Sequence, residues 1–336
     1  MSAAAPLDVP TSLHSTCRQR RGAFRASSAA ILAGLLALAA VGGVAETARA
    51  DEPDYTGYRD LLRRHVRVLK TPGKPWDSRF DYEQLYIDEN IWTLRRAEGL
   101  ANVHTQLLAV TPSAMSAPQR TAWAINTYNF LVIERMTLNL LVPGRRFMRY
   151  DSPREVNRDE GSFFAAPVAR VEGREYSLTG FERRFVYGDT TAEPLADGLL
   201  PREHGGDPRL QLALVKASLC SGPVLPWVYR ADSLEAQLNR AAKLALALPR
   251  WLRTDADGTL WASNRFFEER ADYGGPELPG LMPFLTRHAP LAARKTIQAK
   301  KLTRPSMFFE PDWKLNQFDH PAPKLPGAVR DSIKKS

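Results

Sequence analysis

Apolar residues recur at helical spacing from Tyr58 to Leu69, where Leu61, Leu62, His65, Val66 and Leu69 share a face and the run stops before Pro72. A second helical tract is expected from Phe80-Asp81-Tyr82 through Leu94 and on through residues 97–108, with a break near Gly99. The strongest signal covers residues 116–142. Ser116 and Gln119 have the spacing of a capping box, Pro118 suits a first helical turn, and the apolar run extends to Val142 before Pro143-Gly144 ends it. A helix apolar nearly all round is a buried one. Trp123, Asn126, Phe130 and Ile133 lie on one stripe and Asn129 sits one turn from Asn126, so two amides enter the core and need partners there.

Beyond Gly144 the pattern shortens. Residues 163–171 and 175–176 read as short strands around the turn Glu172-Gly173-Arg174. Thr179 and Glu182 have capping-box spacing for a helix that places Leu178, Phe181 and Phe185 on one face and closes at Gly188. Residues 209–215 alternate Leu210, Leu212 and Leu214 with Gln211, Ala213 and Val215, the period of a strand. Ser233 opens a helix through Leu248, stopped by Pro249; residues 259–262 form a short strand, and helices follow at 264–272 and 280–288. More helix than strand, with the strands short and separated, predicts an α+β fold, a helix-rich single domain with a small sheet of short strands. No linker divides residues 51–316, and the proline-containing tail 317–336 is expected to be poorly ordered.

The first fifty residues change how the charge is read. Arg18, Arg20, Arg21 and Arg25 precede an apolar run at 29–45, and Ala48-Arg49-Ala50 supplies a small-x-small cleavage site before Asp51. This is the pattern of a cleavable export signal, which predicts a periplasmic or secreted protein with no integral membrane span after cleavage; a retained anchor is the alternative. The Arg20-Arg21 pair leaves the Sec and twin-arginine routes both open. The full chain carries +9; losing five basic and two acidic residues with the signal leaves +6, scattered in singles and pairs. No basic stripe or reading motif accompanies it, so no nucleic acid is expected as a partner. Cys17 leaves with the signal and Cys220 remains alone, which excludes an intrachain disulfide.

Candidate chemistry is sparse. Cys220 follows the expected strand between Ser218 and Ser221, and Lys216 would lower its pKa if it pointed the same way; a small buried hydrophobe is the plainer role. His204-Gly205-Gly206-Asp207-Pro208-Arg209 carries an imidazole, a carboxylate and a guanidinium into that strand, or is simply a turn whose glycines supply unusual dihedrals. The mature histidines show no metal-ligand spacing, and no phosphate loop, dinucleotide fingerprint or nucleophile elbow occurs, so neither a metal nor a cofactor is expected.

W-A-I-N-T-Y-N, with Trp123, Asn126, Tyr128 and Asn129 on an apolar helix, resembles the most specific motif of the family catalogued as domain of unknown function 547. F-D-Y-E-Q-L at 80–85, Y-S-L-T-G-F-E at 176–182, D-P-R-L-Q-L-A-L-V-K-A-S at 207–218 and D-W-K-L-N at 312–316 are similar to further family segments in the same order. The departures concern chemistry. Where the family commonly has histidine this chain has Arg183 and Gln211, and the family's S-C-P-P turn appears as Cys220-Ser221-Gly222-Pro223 with the cysteine displaced by one. If the family pairs a cysteine with those imidazoles, the pairing is lost here. Two functions follow. One is a non-catalytic envelope protein binding an unknown envelope ligand or protein, with Asn126, Asn129, Glu182 and Arg209 as a ligand pocket or a buried polar network. The other is a thiol-dependent hydrolase or acyl transferase on a peptide-like or envelope substrate, with Cys220 as nucleophile and His204 as base.

Overall fold

The computed structural model describes residues 52–92, 99–145, 148–158, 161–196 and 205–320, all within one unit of the chain. α1 (Thr56–His65) buries Tyr58, Leu61, Leu62 and His65. It ends earlier than the spacing predicts, because Val66–Leu69 is a strand, β1, paired antiparallel with β2 (Asp77–Phe80) in the register Val66 to Phe80 and Leu69 to Asp77. The β-branched Val66 and Val68 suit that pairing, and helical periodicity cannot separate them from a last helical turn. α2 (Tyr82–Trp92) and α3 (Leu100–Leu108) follow, the second starting directly after Gly99.

α4 (Ala117–Leu138) is the axis of the larger core. The backbone N–H of Ser116 donates to Gln119 Oε1 at 3.0 Å, as the capping box requires. Every residue from Ala122 to Ile133 is buried, and α2, α3 and α5 (Leu178–Phe181) pack around the helix. The helix stops at Leu138, short of Val142. Asn139 Nδ2 donates to the Arg135 carbonyl at 2.8 Å, and Leu141 pairs instead with Arg149.

After α4 a short ribbon joins β3 (Asn157–Arg158) to β4 (Gly161–Ser162), and β5 (Pro167–Val171) forms a hairpin with β6 (Arg174–Ser177). Glu172 (φ 47°) and Gly173 (φ 82°) both take the left-handed conformation that a tight hairpin turn needs. The hairpin begins at Pro167, not Phe163, since the N–H groups of Ala165 and Ala166 both donate to the Ser162 carbonyl and close a turn. The cap of α5 also differs from expectation. Ser177 Oγ accepts from the Gly180 N–H at 3.0 Å, so Thr179 is not the cap and Glu182 is freed to begin a π-helical turn, Glu182–Val186.

The expected strand at 209–215 is a helical turn, α6 (Leu210–Ala213), followed by extended chain. The Leu210 N–H donates to the Asp207 carbonyl and the Leu214 N–H to the Leu210 carbonyl, at 3.0 and 3.1 Å. All four residues of α6 are buried, including Gln211, so the leucine alternation had no solvent face to report.

A second core lies beyond. α7 (Leu234–Leu246) belongs to both, sending Leu238 and Ala241 to the larger and Ala242, Ala245 and Leu246 to the smaller. β7 (Leu252–Thr254) pairs antiparallel with β8 (Leu260–Ser263), and β9 (Met307–Phe309) adds to β8 in parallel. α8 (Arg265–Glu268), α9 (Leu281–His288) and α10 (Leu291–Ala299) complete the set, with Trp251, Phe266 and Leu285 at the centre of this second cluster. Packed structure continues past Asn316. The Tyr82 N–H donates to Gln317 Oε1 at 2.9 Å, and His320 Nε2 lies 2.9 Å from Asp81 Oδ1.

Candidate functional site

The two amides of α4 hold the chain that follows them. Asn126 Nδ2 donates to the Tyr229 carbonyl at 2.7 Å and its Oδ1 accepts from the Tyr229 N–H at 2.8 Å. Asn129 clamps the chain where α6 ends, donating to the Ala213 carbonyl at 3.0 Å and accepting from the Val215 N–H at 2.9 Å. Each side chain thus pairs with backbone as a neighbouring strand would, satisfying buried groups that have no sheet partner. A cavity of about 10 Å³, room for about one water, lies between these clamps and Trp227.

Asn129 thereby places the extended segment 214–220 beside the π-turn. Lys216, 3% exposed, donates to Tyr128 Oη at 2.8 Å and pairs with Glu182. Its ammonium also lies 4.9 Å from the Tyr128 ring centre. Burial, and then the Glu182 charge, push the Tyr128 phenol well above its ordinary pKa. Ala217 follows with φ 53°, a left-handed conformation that costs a residue with a Cβ about 1–2 kcal/mol. Its carbonyl accepts from the Asn316 N–H at 3.0 Å, and the Leu219 N–H donates to the Lys314 carbonyl at 2.8 Å, so residues 314–316 hold the bend.

Cys220 sits just past that bend, 2% exposed, with Sγ 2.9 Å from Ser218 Oγ. It follows a helical turn and an extended stretch, not a strand end. Burial pushes the thiol up; the Arg265 charge, the Ser218 hydrogen bond and the Lys216 charge pull the other way and do not overcome it. Arg265 was not legible as a neighbour. It is 3% exposed, pairs with Glu268 and with Glu269 at 2.9 Å, and has its guanidinium 5.8 Å from the Trp313 ring centre. His204 lies outside the described residues.

Glu182 and Lys216 therefore meet, Asn126 and Asn129 hold backbone, and Arg209 stands apart. Its Nε donates to Asp207 Oδ1 at 2.9 Å, and its Nη1 to Glu235 Oε2 at 2.7 Å and Asn239 Oδ1 at 3.1 Å. Nη2 reaches Asp207 and, at 3.1 Å, Glu235 Oε1, so all five donors are engaged. The Asp207 hydrogen bond most of all raises the Arg209 pKa above its ordinary value. Gly205 and Gly206 supply no unusual dihedrals. Gly205 is needed for closeness, since a Cβ there would lie 2.1 Å from the Ala271 carbonyl oxygen, while the Gly206 N–H donates to Asp272 Oδ1 at 2.8 Å. Between this loop, α7 and α9 lies an open cleft of about 350 Å³.

Residues 112–244 match the family model described as Protein of unknown function, DUF547. The chain is a DUF547 domain-containing protein. The match runs from the turn before α4 almost to the end of α7, so it holds both asparagine clamps, Glu182, Lys216 and Cys220 and leaves out nearly all of the second core. The similar segments at 80–85 and 312–316 lie outside it. No curated protein and no solved structure matches the chain. Among the described residues, no helix is long and apolar enough to cross a membrane, and no group of three or more His, Cys, Asp or Glu could hold a metal ion.

Proposed function

We propose that this DUF547 domain serves a non-catalytic binding protein of the cell envelope, exported by its N-terminal signal, with Cys220 acting as packing and not as a nucleophile. The enclosure of the thiol carries this reading. A nucleophilic cysteine needs an accessible thiolate, and Cys220 is buried with its pKa pushed up. The nearest lysine in sequence, Lys216, is committed to Glu182 and Tyr128. Export stands on the basic residues, apolar run and Ala48-Arg49-Ala50 site of residues 1–50, which lie outside the described residues.

Thiol labelling of the mature protein across pH tests this. Cys220 is expected to react slowly from pH 6 to pH 9 in the folded state and rapidly once unfolded in urea. Fast reaction already near pH 6, unchanged to pH 9 and lost in His204→Ala, would overturn the reading in favour of the thiol hydrolase. Intact mass of exported material tests the signal: a mature chain starting at Asp51 is expected, and a chain retaining Met1 sinks export.

A further inference from the structure

The cleft of about 350 Å³ beside the Asp207 loop has the size of a small-molecule site and takes no part in the thiol argument. Pro283, Phe284, Arg287 and His288 of α9 line it, opposite Asp207, Pro208, Arg209 and Glu235. Three observations bear on its occupant. Arg209 is engaged by both Asp207 and Glu235, so that wall has no free donor for a ligand and carries one net negative charge, leaving any anion to the opposite wall. Arg287 is exposed, and its charge acts on the Glu235 carboxylate of the facing wall without a hydrogen bond or close ion pair among the described residues. His288 is 5% exposed, its Nδ1 is buried without a partner among the described residues, and its ring packs at a tilt of 45° against Phe284 with centres 4.9 Å apart.

We propose that this cleft binds a small organic oxyanion, a carboxylate or phosphate ester, with its charged end on Arg287 and His288 and its apolar body against Phe284 and Pro283. A guanidinium fork is matched to either anion and takes it in two parallel hydrogen bonds. The local field agrees. Burial lowers the pKa of His288, and so do Arg287, Arg209 and Lys243, while only Asp207 among its named charged neighbours opposes them. An anion seated on Arg287 would offset the cations named at His288 and raise the imidazole's pKa, against the opposing pull of Asp207. The same two residues, in the last turn of α9, also offset the negative end of that helix, and this alone would leave them without a ligand.

The proposal rests on the binding reading, but its test is independent of the thiol. The imidazole resonances of His288 are followed by NMR in the mature protein at neutral pH as inorganic phosphate, and separately benzoate, is added. A saturable shift with either anion is expected, together with an upward move of the His288 titration midpoint. Arg287→Gln should weaken the response about tenfold while leaving the thermal midpoint within a degree or so. A response to phosphate alone assigns a phosphorylated ligand, and a response to benzoate alone a carboxylic acid. No saturable shift with either anion, or a shift undiminished in Arg287→Gln, overturns the proposal. Cys220 can stay unreactive in every one of these cases, so failure of the cleft and failure of the binding reading are told apart.

Discussion

Lys216 and Glu182 form an ion pair inside the protein, the lysine 4% and the glutamate 12% exposed at the side chain, joining the extended segment after α6 to the π-turn after α5. Lys216 also donates to Tyr128 Oη at 2.8 Å, but a phenol supplies no charge to replace the lysine's. Lys216→Met should therefore cost about 3–5 kcal/mol by urea denaturation, since it strands the carboxylate. Glu182→Gln combined with Lys216→Met should cost clearly less than the two single changes summed. Additive losses would mean the two charges act separately.

Asn126 and Asn129 should each tolerate no apolar replacement. Leucine at either position removes two hydrogen bonds and leaves a backbone N–H and carbonyl buried at Tyr229 or at Ala213 and Val215. The expected loss is about 1–3 kcal/mol for each stranded group, read from the denaturation midpoint at unchanged m-value. Losses under about 0.5 kcal/mol at both sites would contradict the clamp geometry.

Gly205→Ala should destabilise the Asp207 loop although the glycine has an ordinary backbone conformation. The added methyl would meet the Ala271 carbonyl at 2.1 Å, and backbone cannot move aside as a side chain can. Hydrogen exchange at Gly206, whose N–H is held by Asp272, should accelerate in the variant. Unchanged protection there contradicts the close approach.

Acid should weaken the fold through His65. Burial lowers its pKa to about 4, with Asp88 only partly offsetting it, against about 6.5 in the unfolded chain. Between those values the unfolded state binds the proton and the folded state does not, so stability rises with pH. The contribution is complete above about pH 6.5 and is lost as pH falls towards 4, a total of about 3 kcal/mol. His104 works the other way. Its hydrogen bond to Glu134 at 2.7 Å raises its pKa, so its contribution is present at low pH and fades as pH rises through the folded value. Denaturation of His65→Phe at several pH values separates the two: the acid-side loss should shrink by most of that amount, and an unchanged slope would place the titration elsewhere.

The sequence by itself determined those features whose physics is local or one-sided. The cap of α4 needs only Ser116 and Gln119, the β5–β6 turn needs only a residue pair that tolerates positive φ, and the burial of Asn126 and Asn129 follows from the unbroken apolar surface around them. Tertiary structure decided everything that depends on who faces whom. Residues 209–215 alternate like a strand, yet Leu210–Ala213 form a helical turn buried on all sides, because periodicity records orientation only where one face meets solvent. Glu182 matched a capping box until Ser177 took the cap and Lys216 took the carboxylate. Arg209 had the chemistry of a ligand contact, yet Asp207, Glu235 and Asn239 use up its donors. The bend that leads into the buried Cys220 is held by residues nearly a hundred positions later, Lys314 and Asn316 hydrogen-bonded to Leu219 and Ala217, and no local pattern announces a partner at that distance.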